Sequence, residues 1–168
     1  EVMHTFEEQG TLPTRISGSV MAPYDPDPLT SLNNYSKRYN SPQLRVNHLK
    51  IVGDGVMETH KAALLHPYHD KPDEMGGLTF GTQEAMDELA LGAAKGGYGI
   101  QVHVIGDQGV RAALNSLEKI RKEGLDTRFN LTHVQLVDDQ DLPRFAELGA
   151  VVQTTPLWFT PNNANLIR

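Results

Sequence analysis

At 168 residues the chain has room for one ordinary domain with a sizeable core, and its 39% hydrophobic and 21% charged residues read as globular. A net charge of −6 and a pI near 5.6, with no Lys/Arg cluster, exclude a nucleic-acid or anionic-membrane surface. The absence of cysteine excludes disulfides and thiolate metal sites, and no apolar run is long enough for a membrane span.

The chain opens with Glu rather than Met, in what reads as the tail of a helix, as a trimmed piece does. No basic-then-apolar signal opens the chain, and a cytoplasmic location is expected. Residues 1–10 have helical composition and stop at Gly10, and 14–22 read as a short strand. Pro23, Pro26 and Pro28 mark a loop, followed by a weak polar helix over 29–39. A strand over 45–52 comes next. Residues 53–81 then form a long polar connection of the kind used for lids and binding loops, with a short helical turn expected within 58–65.

Thr82 is a good N-cap for a helix over 83–95 that stops at Gly96 and Gly97. A strand over 99–105 leads to Asp107, expected to cap a helix over 108–123 with Val110, Ala113, Leu114, Leu117 and Ile120 on one face. A strand over 129–134, a helix over 141–148 expected to be capped by Asp139, and a strand over 150–154 complete the pattern. Strands alternating with Gly-stopped helices predict an α/β fold, a single domain over 1–168 with about five parallel strands.

Ligands of such folds bind beyond the carboxyl ends of the strands, where Lys50, His103 and His133 are placed to project. A lysine in an apolar strand costs free energy unless its ammonium reaches water, meets an anion or is chemically neutralised. The ordinary alternative for Lys50 is a side chain that snorkels from the strand end, and for each histidine a hydrogen-bonded core residue. His103 and His133 lie 30 residues apart, one βα unit, so neighbouring strands present them together. Alternation puts Gln101 and His103 on one face and Ile100, Val102 and Val104 on the other. The strand ending at His133 sorts less cleanly, because Asn130 and Thr132 share a face with Val134.

Three segments resemble the amidohydrolase superfamily, in the branch of amidohydrolase family 3 whose members include predicted metal-dependent hydrolases and exoenzyme-regulatory proteins. They are LKIVGDGVMETHKAALL (49–65), VHVIGDQGVRAALNSLE (102–118) and LTHVQLVDDQDLPRFAELGAVV (131–152), in order and at family-like intervals. The resemblance implies a (β/α)8 barrel of the TIM type with one or two divalent ions, usually zinc, at the carboxyl ends of its strands. It maps a carboxylated, metal-bridging lysine onto Lys50 and the histidines of the next two strands onto His103 and His133. Carboxylation turns a costly buried cation into an anionic oxygen ligand.

The family's first-strand His-x-His pair has no counterpart, since His66-Pro-Tyr-His69 has the wrong spacing, and its general-base aspartate has none either. A barrel of this type needs about 250 residues. The chain is therefore expected to be an internal piece, strands three to seven, of a hydrolase cleaving C–N bonds of amide type. The piece itself is expected to be inactive and to hold metal weakly or not at all. The alternative, from a different class, is a non-catalytic small-molecule binding or regulatory domain on a half-barrel.

Asp54, His60 and Trp158 are candidates for contacting a small-molecule substrate, although Gly53-Asp54-Gly55 is also an ordinary turn. Open sheet edges and an uncovered apolar inner face predict self-association.

Overall fold

The computed structural model describes residues 2–159, with side chains described as far as Leu157. Five strands, β1 (Ile16–Met21), β2 (Leu44–Val52), β3 (Gly99–Val104), β4 (Phe129–His133) and β5 (Val151–Gln153), run parallel in the order 1-2-3-4-5. Among them run helices α1 (Val2–Glu8), α2 (Pro28–Arg38), α3 (Gln83–Lys95), α4 (Asp107–Lys122) and α5 (Leu142–Leu148). The result is the expected α/β arrangement, a half-barrel of parallel strands. Among the described residues no helix is long and apolar enough to cross a membrane.

The sheet has two unlike faces because its strands alternate. Leu49, Ile51, Ile100, Val102, Val104, Phe129 and Leu131 are fully buried against a layer that includes Met86, Ala90 and Ala93 of α3 and Val110, Ala113, Leu114, Leu117 and Ile120 of α4. Burying a large apolar side chain is worth about 1.5–3 kcal/mol, so this layer holds the register of β2, β3 and β4. The opposite face carries Lys50 and Val52 from β2 in register with Gln101 and His103 from β3. Asn130 and Thr132 of β4 continue the same rows. The expected apolar inner face is thus largely polar. Gln101 Nε2 donates to Thr132 Oγ1 at 3.1 Å and Gln153 Oε1 at 3.3 Å, tying three strands together.

Two helix starts differ from expectation. Thr82 caps α3 as read, accepting from Ala85 N at 3.2 Å, but Asp107 is the first residue of α4 and its N-cap is Gly106. The orphan N–H groups of α4 are instead met by the long loop: the Ala63 carbonyl accepts from Gln108 N (3.1 Å) and Gly109 N (3.3 Å). Asp107 Oδ1 accepts from Leu65 N and Gln108 N, each at 2.9 Å. A side chain at Gly106 would bring its Cβ to 2.0 Å from the Ala63 carbonyl oxygen, so only glycine lets the loop dock. Asp139 is exposed, and Asp141 is the N-cap of α5, where it makes no side-chain cap bond and pairs with Arg111 and Arg144.

The connection from 53 to 81 is less polar inside than its composition implies. Its helical turn is a short 3-10 segment, Met57–Thr59. Met57, Ala62 and Tyr68 pack on Ile105 as a small separate core, and Tyr68 donates from its hydroxyl to the Ala62 carbonyl at 2.9 Å. Leu64 N to Met75 O (2.8 Å), Tyr68 N to Glu74 O (2.9 Å) and Thr79 N to Gly53 O (2.8 Å) fold the loop back on itself. It is a packed excursion held at both ends.

Candidate functional site

Lys50 stands two residues before the end of β2, on the polar face, and is half-buried. Burial pulls its pKa below the ordinary lysine value, so the neutral amine is more accessible than on a surface. His103 follows one row further along β3, opposite Val52. Burial, then the neighbouring His133 and Lys50, lower its pKa to about 4, against the opposing pull of a hydrogen bond to the Gly55 backbone. A bond that favours the protonated ring is one in which the ring N–H donates and the carbonyl accepts.

His133 reaches this place by a different route. Its register partner is Val104, a residue of the helix-covered face. Simple alternation would send the imidazole into the core. Instead His133 takes φ +79° and Val134 φ +53°, both in the left-handed region, and the strand ends in a twist. Val134 N to Val104 O (2.9 Å) and Leu136 N to Ile105 O (3.0 Å) hold that turn. A left-handed β-branched residue is rare and costs about 1–3 kcal/mol. The outcome is an edge-to-face pair of rings, His103 and His133, with centroids 4.8 Å apart and planes at 71°. Burial and the Lys50 charge lower the His133 pKa as well.

All three residues expected from the sequence therefore meet at one rim. Burial favours the neutral form of both imidazoles, which offers a nitrogen lone pair, and at Lys50 it favours the neutral amine, the form that reacts with carbon dioxide. Among the described residues no group of three or more His, Cys, Asp or Glu is placed to hold a metal ion. Lys50 is the neighbouring side chain that would add a third ligand, as an oxygen donor if carboxylated. The donor chemistry fits a divalent metal on that condition.

The other candidates lie differently. Asp54 is fully buried, and its carboxylate accepts from Ala63 N (3.0 Å), Ile105 N (2.9 Å) and Gly106 N (2.8 Å). Its Oδ1 lies 3.8 Å from His103 Nε2. Burial raises its pKa to about 6, although the three N–H donors oppose this. His60 sits in the long loop in the left-handed region, φ 54°, with Nε2 2.8 Å from Asp70 Oδ2 and its ring edge-on to Tyr68. It lines an open cleft of about 570 Å³ with Gly55, Asp73, Glu74 and Gly76. The side chain of Trp158 lies outside the described residues. The Gly55 carbonyl and the polar row of Gln101, Thr132 and Gln153 were not singled out beforehand. Gln101 shares the His103 face by alternation, whereas a backbone carbonyl leaves no trace in a sequence.

Comparison with known proteins places this geometry in context. The exoenzymes regulatory protein AepA of Pectobacterium carotovorum subsp. carotovorum is 26% identical over 132 residues, covering 77% of this chain and 28% of that protein. The putative amidohydrolase YtcJ of Bacillus subtilis (strain 168) is 29% identical over 121 residues, covering 71% of this chain and 22% of that protein. In fold, the chain is similar to an uncharacterized metal-dependent hydrolase from Pyrococcus horikoshii OT3, with a TM-score of 0.75 and 22% identity over 93% of this chain and 30% of that one. The chain thus spans less than a third of the length of each of these proteins. A profile described as the amidohydrolase family matches residues 1–164, and the chain belongs to that family.

Proposed function

We propose that this chain is the central part of a metal-dependent hydrolase that cleaves C–N bonds of amides or related groups, with Lys50, His103 and His133 as its share of the metal ligands. The observation that carries the reading is the meeting of His103 and His133, 4.8 Å apart, on the polar face that also bears Lys50. Lys50, His103 and His133 would hold a divalent ion such as zinc, which when bound would polarise a carbonyl and activate water near neutral pH. The residues of this chain prepare the place. Burial favours the neutral form of both rings, the left-handed turn at His133 aims its imidazole inward, and the Gly55 carbonyl accepts a hydrogen bond from the His103 ring. Gln101, Thr132 and Asn130 line the same face and offer neutral donors and acceptors to a small polar substrate.

Catalysis needs groups beyond these three, and the family's general base has no counterpart among residues 1–168. The isolated chain is accordingly expected to be inactive and to bind zinc weakly. The deciding experiment is metal analysis of the full-length protein after reconstitution at neutral pH with bicarbonate. Near-stoichiometric metal, lost on His103→Ala, supports the reading, and its absence overturns it.

A second reading, a small-molecule binding or regulatory half-barrel that uses no metal, is favoured by one observation: the 26% identity to a protein named as an exoenzymes regulatory protein. Ligand binding by the full-length protein that persists after exhaustive chelation selects this alternative.

A further inference from the structure

The metal rim leaves His60 unused, although its ring is fixed from several sides. His60 closes the 3-10 segment Met57–Thr59 in the left-handed region, φ 54°, a backbone that residues other than glycine adopt rarely and at a cost. Its ring stands edge-on to the buried Tyr68, with centroids 4.7 Å apart and planes at 69°, and the Tyr68 hydroxyl is tied in turn to the Ala62 carbonyl. Nε2 lies 2.8 Å from Asp70 Oδ2. An ionised carboxylate only accepts, so Nε2 carries the hydrogen and donates it in that bond. The lone pair of the neutral ring is then on Nδ1, which has no hydrogen-bond partner among the described residues.

The same ring lines the cleft of about 570 Å³, whose wall includes Gly55. Gly55 also bonds through its backbone to the His103 ring, so the cleft adjoins the metal rim. A histidine with one nitrogen fixed by a carboxylate and the other unpaired is arranged to take up a proton, because the carboxylate faces the imidazolium that results. We propose that His60 and Asp70 form an acid–base dyad serving this cleft, with Asp70 as its positioning residue. His60 Nδ1 takes the proton of an O–H or ammonium N–H group on a small polar ligand, the ligand atom keeps the electron pair of the broken bond, and the imidazolium returns the proton in the reverse step. The dyad is separate from the metal-ligand set proposed above.

The test is acylation of the metal-free 168-residue chain by limiting diethyl pyrocarbonate at pH 7.5, with the rate at each histidine read by peptide mass spectrometry. The reagent reacts with a ring lone pair. His60 is expected to react at least threefold faster than His66, although His60 is half-buried and His66 exposed. Asp70→Asn is expected to slow His60 at least fivefold and His66 less than twofold. Gly77 lines the cleft with a backbone open to any residue, and a Cβ there meets nothing within 4 Å. Gly77→Trp is therefore expected to slow His60 at least threefold by filling the cleft, with Asp70 untouched. A His60 no faster than His66 in the unmutated chain overturns the proposal without any variant. An equal or faster His60 in Asp70→Asn also overturns it, because a merely structural pair exposes the ring when broken. An unchanged rate in Gly77→Trp overturns the link to the cleft. No metal enters these measurements, so failure of the hydrolase reading leaves their outcome unaltered.

Discussion

His103 and His133 stand edge to face, 4.8 Å apart, although strand register pairs His103 with Thr132 and His133 with Val104, residues of opposite sheet faces. Two left-handed residues at the end of β4 reconcile the register with the contact. The site exists because this short twist overrides alternation, and most of the consequences below concern what holds it and its neighbours in place.

The left-handed turn should make Val134 unusually tolerant of glycine. Removing this buried side chain forfeits about 2 kcal/mol of burial, while relief of its backbone strain returns about 1–2 kcal/mol. Val134→Gly is therefore expected to cost less than about 1 kcal/mol in urea unfolding, whereas Val102→Gly, in an ordinary strand, costs about 3 kcal/mol or more. Equal losses at the two positions would show that Val134 carries no strain.

Asp54 holds the loop to the turn after β3, so its removal leaves three backbone N–H groups without an acceptor. Each such group costs about 1–3 kcal/mol, partly offset by no longer burying a carboxylate. Asp54→Ala is expected to destabilise by about 3–5 kcal/mol and to increase hydrogen exchange at Ala63, Ile105 and Gly106. Unchanged exchange at those three amides would show that the clamp is not needed.

Stability should fall in mild acid. The pKa values of His48, His103 and His133 are all lowered in the fold, chiefly by burial, so between the ordinary 6.5 and, at His103, about 4 the unfolded chain binds more protons than the folded one. Their stabilisation is present above pH 6.5 and lost as pH falls through that window. Asp54, raised to about 6, works the other way as pH falls from 6 to 3.8, but it is one group against three. His48 is the cleanest probe because it lies outside the ligand set. The stability lost between pH 7 and pH 4.5 is expected to be smaller in His48→Gln, measured by denaturant titration at each pH, and an identical loss would refute its lowered pKa.

Carboxylation predicts a specific role for Lys50. In the full-length protein, metal uptake should rise with bicarbonate, and Lys50→Arg, whose guanidinium stays charged, should bind metal at least tenfold more weakly at every bicarbonate concentration. Equal affinity in Lys50→Arg would remove Lys50 from the ligand set.

The outer edge of the sheet at β5 should mediate self-association of the isolated chain. Val151 and Val152 are 47% and 44% exposed, and parallel strands offer unpaired backbone groups along such an edge. Val152→Lys is expected to shift the association midpoint at least tenfold toward higher concentration in sedimentation velocity. A compact monomer across a wide concentration range in the unmutated chain would dispose of this expectation.

Most of the architecture was legible in the sequence because it rests on short-range periodicity. The alternation in β3 announced which face would meet the helices, and Thr82 and Gly96 marked helix ends through local backbone chemistry. Lys50, His103 and His133 could be named as residues projecting from strand ends. The cap of α4 was misread because its acceptor, the Ala63 carbonyl, comes from a loop more than 40 residues away. The long loop looked like an open polar connection because the partner of its small core, Ile105, belongs to another element.

Sequence alone therefore determined the fold class, the polar face and the identity of the three rim residues, since each follows from the covalent order of polar and apolar side chains. Only the tertiary structure decided that His133 turns against its own register, that Asp54 is a buried clamp and that Ile105 completes a small core within the long loop. Those features depend on which distant backbone groups and strands meet, which no local pattern encodes.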